Sequence, residues 1–209
     1  MSELNVAKAL LDAGAVRLSP KSPFTWASGL KSPIYCDNRQ LLGHPGLRGA
    51  IADALAVRAA EPAPTLIAGT STAGIPWAAL VADRLNLPMA YIRPEPKKHG
   101  MGRQVEGPHA DGHRVVLIED LISTGGSSLH CVEALQREDA IVLEVLALFS
   151  YGLPQAEAAF RTAGVNLQVL STFEALSNEA TANGILDSDD AAALSVWRRD
   201  TVAWSKNHE

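Results

Sequence analysis

The 209 residues amount to 22.1 kDa and are 47% hydrophobic and 20% charged, enough apolar material for a real core. That composition excludes a disordered chain, a fibrous repeat and a disulfide-stapled mini-protein. Lys and Arg number 18 against 23 Asp and Glu, a net charge of −5, which excludes a general nucleic-acid coater because such a protein needs an electropositive face.

Leu4, Ala7, Leu10 and Leu11 recur at helical spacing, which predicts an opening amphipathic helix that ends near Gly14. Glu3, Lys8 and Asp12 interrupt its apolar pattern, so it lacks the h-region of a secretory leader. Residues 19–45, punctuated by Pro20, Pro23, Gly29, Pro33 and Gly43, read as turns and short strands. A second helix over 47–60 stops at Pro62-Ala63-Pro64. From there strand and helix alternate. Strands are expected at 65–69, 88–92, 114–119, 141–149 and near 167–170. Helices are expected at 75–85, 127–137 and near 155–163, with two more helical stretches at the C-terminus. Strands that are apolar throughout predict an α/β fold with a parallel sheet covered on both faces. One domain over 1–209 is expected, with an N-terminal appendage over 1–45, an α/β core over 65–171 and C-terminal helices to 209. The apolar stretch 140–149 is broken by Glu144 and too short to span a bilayer. The expectation is a cytoplasmic protein that binds neither membrane nor nucleic acid.

The run 115–127 carries the most chemistry. An apolar strand ends in Glu119 and Asp120 and is followed by Leu121, Ile122, Ser123, Thr124, Gly125, Gly126 and Ser127 at the start of a helix. Open α/β sheets bind ligands at the carboxyl ends of their strands. Residues 124–127 there would offer backbone N–H groups and hydroxyls to a phosphate, while the acids suit ribose hydroxyls or help organise a Mg²⁺ held mainly by substrate oxygens. Gly69-Thr70-Ser71-Thr72-Ala73-Gly74 begins like a P-loop, but Ile75-Pro76 stands where Lys and Ser or Thr are required. That argues against nucleoside-triphosphate hydrolysis and leaves a turn suited to an anion. The long polar loop over 94–111 and its root gather Arg93, Lys97, Lys98, His99 and Arg103 in an otherwise acidic chain, with glycines at 100, 102 and 107. Such a loop reads as a lid whose cations close over a departing anion.

Other residues read as structural. His109 and His113 have metal-ligand spacing, but Gly107, Pro108 and Gly112 make them exposed loop residues. Trp26 and Trp77 are expected to pack, Trp197 and Trp204 to anchor the C-terminal helix, and Cys131 to be buried. Cys36 and Cys131 are too few for a disulfide framework.

The run 115–127 resembles the signature of the type I phosphoribosyltransferases, which bind phosphoribosyl pyrophosphate (PRPP). The resemblance implies that Glu119 and Asp120 hold the ribose hydroxyls, that residues 121–127 cradle the 5′-phosphate, and that Thr70, Ser71, Thr72, Ala73 and Gly74 contact pyrophosphate. Arg93-x-x-x-Lys97-x-His99-Gly100 resembles the catalytic loop of the orotate phosphoribosyltransferases, and residues 24–39 resemble the hood that these enzymes place over the pyrimidine. The fold so implied is a Rossmann-like phosphoribosyltransferase core with an N-terminal hood. The implied reaction is Mg²⁺-dependent transfer from PRPP to orotate, a step of pyrimidine nucleotide synthesis, by a homodimer whose lid serves the neighbouring subunit's site. Arg93, Lys97 and His99 would be catalytic, with Lys98 also on PRPP. Tyr35, Cys36 and Ser123 would meet orotate. Pro94 stands where many members have a second Lys. Ala27 and Tyr151 stand where several have a Lys and an Arg, so Lys31 or Arg39 is the candidate for the orotate carboxylate, and Asp120 the candidate metal contact. The rival readings are a purine-base phosphoribosyltransferase and a non-catalytic PRPP-sensing regulator.

Overall fold

The computed structural model describes residues 4–26, 28–95 and 103–208. Helix α1 (Val6–Asp12) is capped by Asn5, whose side chain accepts the Lys8 N–H, and it buries Val6, Ala7, Ala9 and Leu10. Two small antiparallel ladders follow: β1 (Val16–Leu18) with β4 (Ile34–Cys36), and β2 (Phe24–Thr25) with β3 (Lys31–Ser32). A 3₁₀ helix over Asn38–Gly43 leads into α2 (Pro45–Ala60). The alternating part comprises β5 (Leu66–Thr70), α3 (Gly74–Leu85), β6 (Met89–Ile92), β7 (Val105–Glu106), β8 (Arg114–Ile122), α4 (Gly126–Gln136), β9 (Ile141–Ser150), α5 (Pro154–Ala163) and β10 (Leu167–Thr172). Helices α6 (Phe173–Ala182), α7 (Ser188–Arg199) and α8 (Thr201–Lys206) close the chain. None of the described helices is long and apolar enough to cross a membrane.

Among the described residues, the main sheet has six strands in the order β10-β9-β8-β5-β6-β7, all parallel except β7, which runs antiparallel to β6. Its strands alternate between two apolar layers. On β5, Ile67 faces one core while Leu66 and Ala68 face the other; on β8, Val116 and Ile118 oppose Val115 and Leu117. With both faces covered, each strand reads as a continuous apolar run. One layer holds α1 to α3, the N-terminal ladders and α6 to α8; the other holds residues of α4 and α5.

Three expectations need correction. The loop after β6 is not irregular throughout, because Val105 is buried and pairs with Ile92 as the edge strand β7. Strand β8 does not stop at Glu119; Leu121 and Ile122 still pair with Phe149 and Ser150, because β9 is long enough to carry the ladder past the acids. The C-terminus forms three helices rather than two.

The first and last parts of the chain are fastened together. Trp26 stacks on Tyr151, with centroids 5.6 Å apart, and both rings meet Trp197 edge-on, at 5.9 and 5.7 Å. The Lys31 N–H donates to Ser205 Oγ at 2.8 Å, and Asn5 Nδ2 to Glu179 Oε2 at 2.8 Å. Lys21 pairs with Asp187 at 3.1 Å. Trp197 is fully buried at the centre of this junction. Trp197→Ala is expected to cost about 3–5 kcal/mol, the usual range for truncating a buried large aromatic. Urea denaturation with an unchanged m-value checks this, and a loss below about 1 kcal/mol would mean that the junction carries little of the stability.

Candidate active site

Strand β5 leads through α3 to β6 on one side, and the chain then returns to place β8 on β5's other side. In sheets of this kind such a reversal puts the usual ligand crevice at the carboxyl ends of the two strands, here β5 and β8. Two of the sequence motifs emerge there. Residues 70–74 leave β5: Thr70 is buried, Ser71 donates its N–H to the Ile92 carbonyl at 3.0 Å, and the Ser71–Thr72 peptide is cis. Gly74 is required at the start of α3, because a Cβ there would meet Thr70 Oγ1 and, at 2.6 Å, the Ile118 carbonyl. From β8, Ser123 is half-buried and Thr124 exposed, and the chain then turns at Gly125 with φ of +83°. A Cβ on Gly125 would lie 2.7 Å from the Phe160 ring, so only glycine fits there. Gly126 and Ser127 are exposed in the first turn of α4, whose N-terminus has no side-chain cap. Its first N–H groups therefore face outward as donors for an anion.

The two acids differ sharply in surroundings. Glu119 is 5% exposed and accepts three hydrogen bonds: from Thr70 Oγ1 at 2.5 Å, from Ser128 Oγ at 2.9 Å and from the Asp120 N–H at 3.1 Å. Asp120 is half-buried and has no ion-pair partner among the described residues. Burial, and then the charge of Glu119 beside it, push its carboxyl up to about 7. The Asp120 carbonyl accepts from Asn38 Nδ2 at 2.7 Å, and Asn38 Oδ1 accepts from the Cys36 thiol at 3.2 Å. Asn38, at 1% exposure, thus joins the N-terminal ladders to the end of β8. Burial and the nearby Asp120 and Asp37 charges push the Cys36 thiol far up, so it remains protonated. Burial likewise raises the Tyr151 phenol.

The remaining candidates fall into separate groups. Tyr35 carries the Arg17 guanidinium 5.2 Å from its ring centre, a contact the sequence reading missed. Lys31 donates through Nζ to Thr25 Oγ1 at 3.0 Å, and Arg39 is ion-paired with Asp37 at 2.6 Å. Arg93 lies 3.6 Å from Glu106, at the foot of the loop. Arg103, read as one of the lid cations, instead makes a bidentate pair with Glu138 at 3.2 and 2.9 Å. Buried Gln104, also missed, bonds the Arg93 carbonyl at 2.8 Å, His130 at 2.9 Å and Arg137 at 3.0 Å. Lys97, Lys98 and His99 lie outside the described residues, as does Ala27. His109 is exposed as expected, whereas His113 is half-buried because it bonds Thr65 Oγ1 at 3.0 Å.

Among the described residues, no three His, Cys, Asp or Glu side chains converge as a metal cage. Asp120, the more exposed of the two acids, suits a cation held mainly by other oxygens.

The family described as the phosphoribosyl transferase domain matches residues 38–161. An orotate phosphoribosyltransferase of Cytophaga hutchinsonii is 48% identical over 203 residues, covering 96% of this chain and 97% of that one. The orotate phosphoribosyltransferase structure from Aeropyrum pernix aligns with a TM-score of 0.72 at 32% identity, over 87% of this chain and 99% of that one. The structure of Leishmania donovani UMP synthase aligns with a TM-score of 0.79 at 27% identity over 95% of this chain, which spans 42% of that longer one.

Asp120 generates a pH prediction. Its carboxyl is held at about 7 in the folded chain against 3.8 ordinarily, so the folded state binds an extra proton between those values. The associated stabilisation is complete below pH 3.8 and lost as pH rises through 7. Asp120→Asn removes the buried negative charge, so it is expected to raise the Tm of the ligand-free protein at pH 8 and to change it little at pH 4. Each kcal/mol relieved corresponds to roughly 2–4 °C for a chain of this size. Equal effects at both pH values in thermal melts would refute the assignment.

Proposed function

The chain belongs to the orotate phosphoribosyltransferase family, and from that premise we propose that it transfers ribose 5-phosphate from PRPP to orotate, releasing pyrophosphate and forming orotidine 5′-monophosphate. The observation that carries the reading is the convergence at one crevice of two anion-suited turns, with Asp120 between them and the Cys36–Asn38 bridge arriving from the N-terminal ladders. In this reading the open amides of α4 and the hydroxyls of Thr124 and Ser127 take the 5′-phosphate, Asp120 accepts from the ribose, and residues 70–74 face pyrophosphate.

The C1–O bond to pyrophosphate loosens as the orotate nitrogen approaches, so positive charge develops on the ribose while negative charge builds on the leaving group. Catalysis is then a matter of positioning and of electrostatics. Arg93, Lys97, Lys98 and His99 are assigned to the departing pyrophosphate. Tyr35, Cys36 and Ser123 are assigned to orotate, with Lys31 or Arg39 on its carboxylate. The transfer calls for no covalent nucleophile from the chain. Mg²⁺, when bound, supplies neutralisation of the pyrophosphate oxygens, and Asp120 is the residue that would face it. The reading includes a cytoplasmic location and a homodimer in which the lid serves the partner's site.

Mixing the protein with Mg²⁺, PRPP and orotate is expected to deplete orotate's ultraviolet absorbance, with adenine, guanine and xanthine inert as acceptors. No loss of orotate at any Mg²⁺ concentration would refute the assignment. The shared lid is tested by complementation. Lys97→Ala and Asp120→Asn are each expected to be nearly inactive, and reassorting their subunits should restore activity, since a mixed dimer then contains one intact site. If subunit exchange is demonstrated by mass-tagged chains and activity does not return, the lid acts within its own subunit.

A further inference from the structure

Glu119 is the acid that the crevice does not use. A carboxylate sealed from water needs donors, and Glu119 has three, each from a different part of the site. Thr70, 3% exposed, ends β5 and begins the 70–74 turn. Ser128, fully buried, lies in the first turn of α4, directly after the phosphate-suited residues. The third donor is the N–H of Asp120 itself. Both oxygens are occupied, Oε1 by Thr70 and Asp120 and Oε2 by Ser128, whereas Asp120, half-buried, is the more exposed of the two acids.

We propose that Glu119 is a positioning residue: with Thr70 and Ser128 it forms a buried strut that sets the separation of the two anion-binding turns, and it takes no ribose hydroxyl itself. This rests on the functional reading above. Gly74 shows how closely the parts are pressed together, since even a methyl group there would strike Thr70 and the β8 backbone. PRPP carries a phosphate at one end of its ribose and a pyrophosphate at the other, so it must engage both turns at once. Its affinity therefore depends on their separation. A ligand that engages only one turn is indifferent to it.

The test is a binding series with the full chain, using PRPP with Mg²⁺, ribose 5-phosphate and pyrophosphate as probes. Thr70→Val and Ser128→Ala are each expected to weaken PRPP by about ten- to a hundredfold, since each leaves Glu119 short of a buried donor. Ribose 5-phosphate should shift by less than about threefold in both variants, and pyrophosphate likewise in Ser128→Ala, whose side chain lies outside the pyrophosphate turn, because neither ligand spans the strut. The double variant should be hardly weaker than either single one, because both substitutions cut the same connection. Thr70→Ser should recover most of what Thr70→Val loses. Glu119→Gln retains an acceptor for Thr70 and gains a donor for Ser128, so it should weaken PRPP much less than Asp120→Asn does.

The strut is overturned if ribose 5-phosphate in either variant, or pyrophosphate in Ser128→Ala, weakens as much as PRPP, if the double variant is additive, or if Glu119→Gln matches Asp120→Asn. It is also overturned if wild type binds all three ligands and no variant differs from it. A wild-type protein that binds none of the three would instead overturn the functional reading on which the strut depends.

Discussion

The parallel ladder between β5 and β8, registered from Leu66↔Val115 to Gly69↔Ile118, is the constraint on which the site depends. These strands are neighbours although β6 and β7 lie between them in sequence, so the chains leaving their carboxyl ends run to opposite sides, β5 to β6 and β8 to β9. The ladder fixes the two turns side by side, and the alternating burial of Ile67 and Val116 against Ala68 and Leu117 holds it from both faces. Interior packing of this kind does not deform gradually, so the spacing at the crevice inherits the rigidity of the sheet.

The N-terminal ladders are attached to this frame by a different kind of contact. Asn38 reaches the Asp120 carbonyl with a buried hydrogen bond, and Trp26 lies flat on Tyr151 at the end of β9. The first contact is directional and sets register; the second is mostly apolar area and supplies adhesion. Their combination lets a segment with strands of only two or three residues keep a defined position against the ends of β8 and β9.

Much of the frame was legible because its physics is local. Strands covered on both faces must be apolar at successive positions, and the helices between them repeat at 3.6 residues, so β5, β6, β8, β9 and β10 appear in the sequence. Strand β7 does not, since two residues carry no periodicity and Val105 is recognisable only once β6 stands beside it. The motifs at 70–74 and 119–127 could be read because glycines, hydroxyls and acids follow an apolar strand in unbroken order. What the side chains do there could not. Ser128 sits one residue past the run that drew attention, and Asn38 meets Asp120 across 82 positions. Arg103 looked like its cationic neighbours in the loop, because nothing in a run of charges reveals that Glu138 waits beyond α4.

The fastening of the chain's first part to its last has a consequence for how the protein is made. The Lys31–Ser205 and Asn5–Glu179 bonds each join residues 174 positions apart, and Trp26 depends on Trp197 in the same way. Contacts so distant in sequence form late, because the entropy of closing the intervening chain must be met before they contribute. On the ribosome, the N-terminal ladders emerge first, yet the Lys31–Ser205 and Trp26–Trp197 contacts wait until α7 and α8 have been synthesised. The α/β layers can consolidate while translation continues. The junction that joins the first part of the chain to its end is therefore completed late, and until then Trp26 lacks its edge-on contact with Trp197.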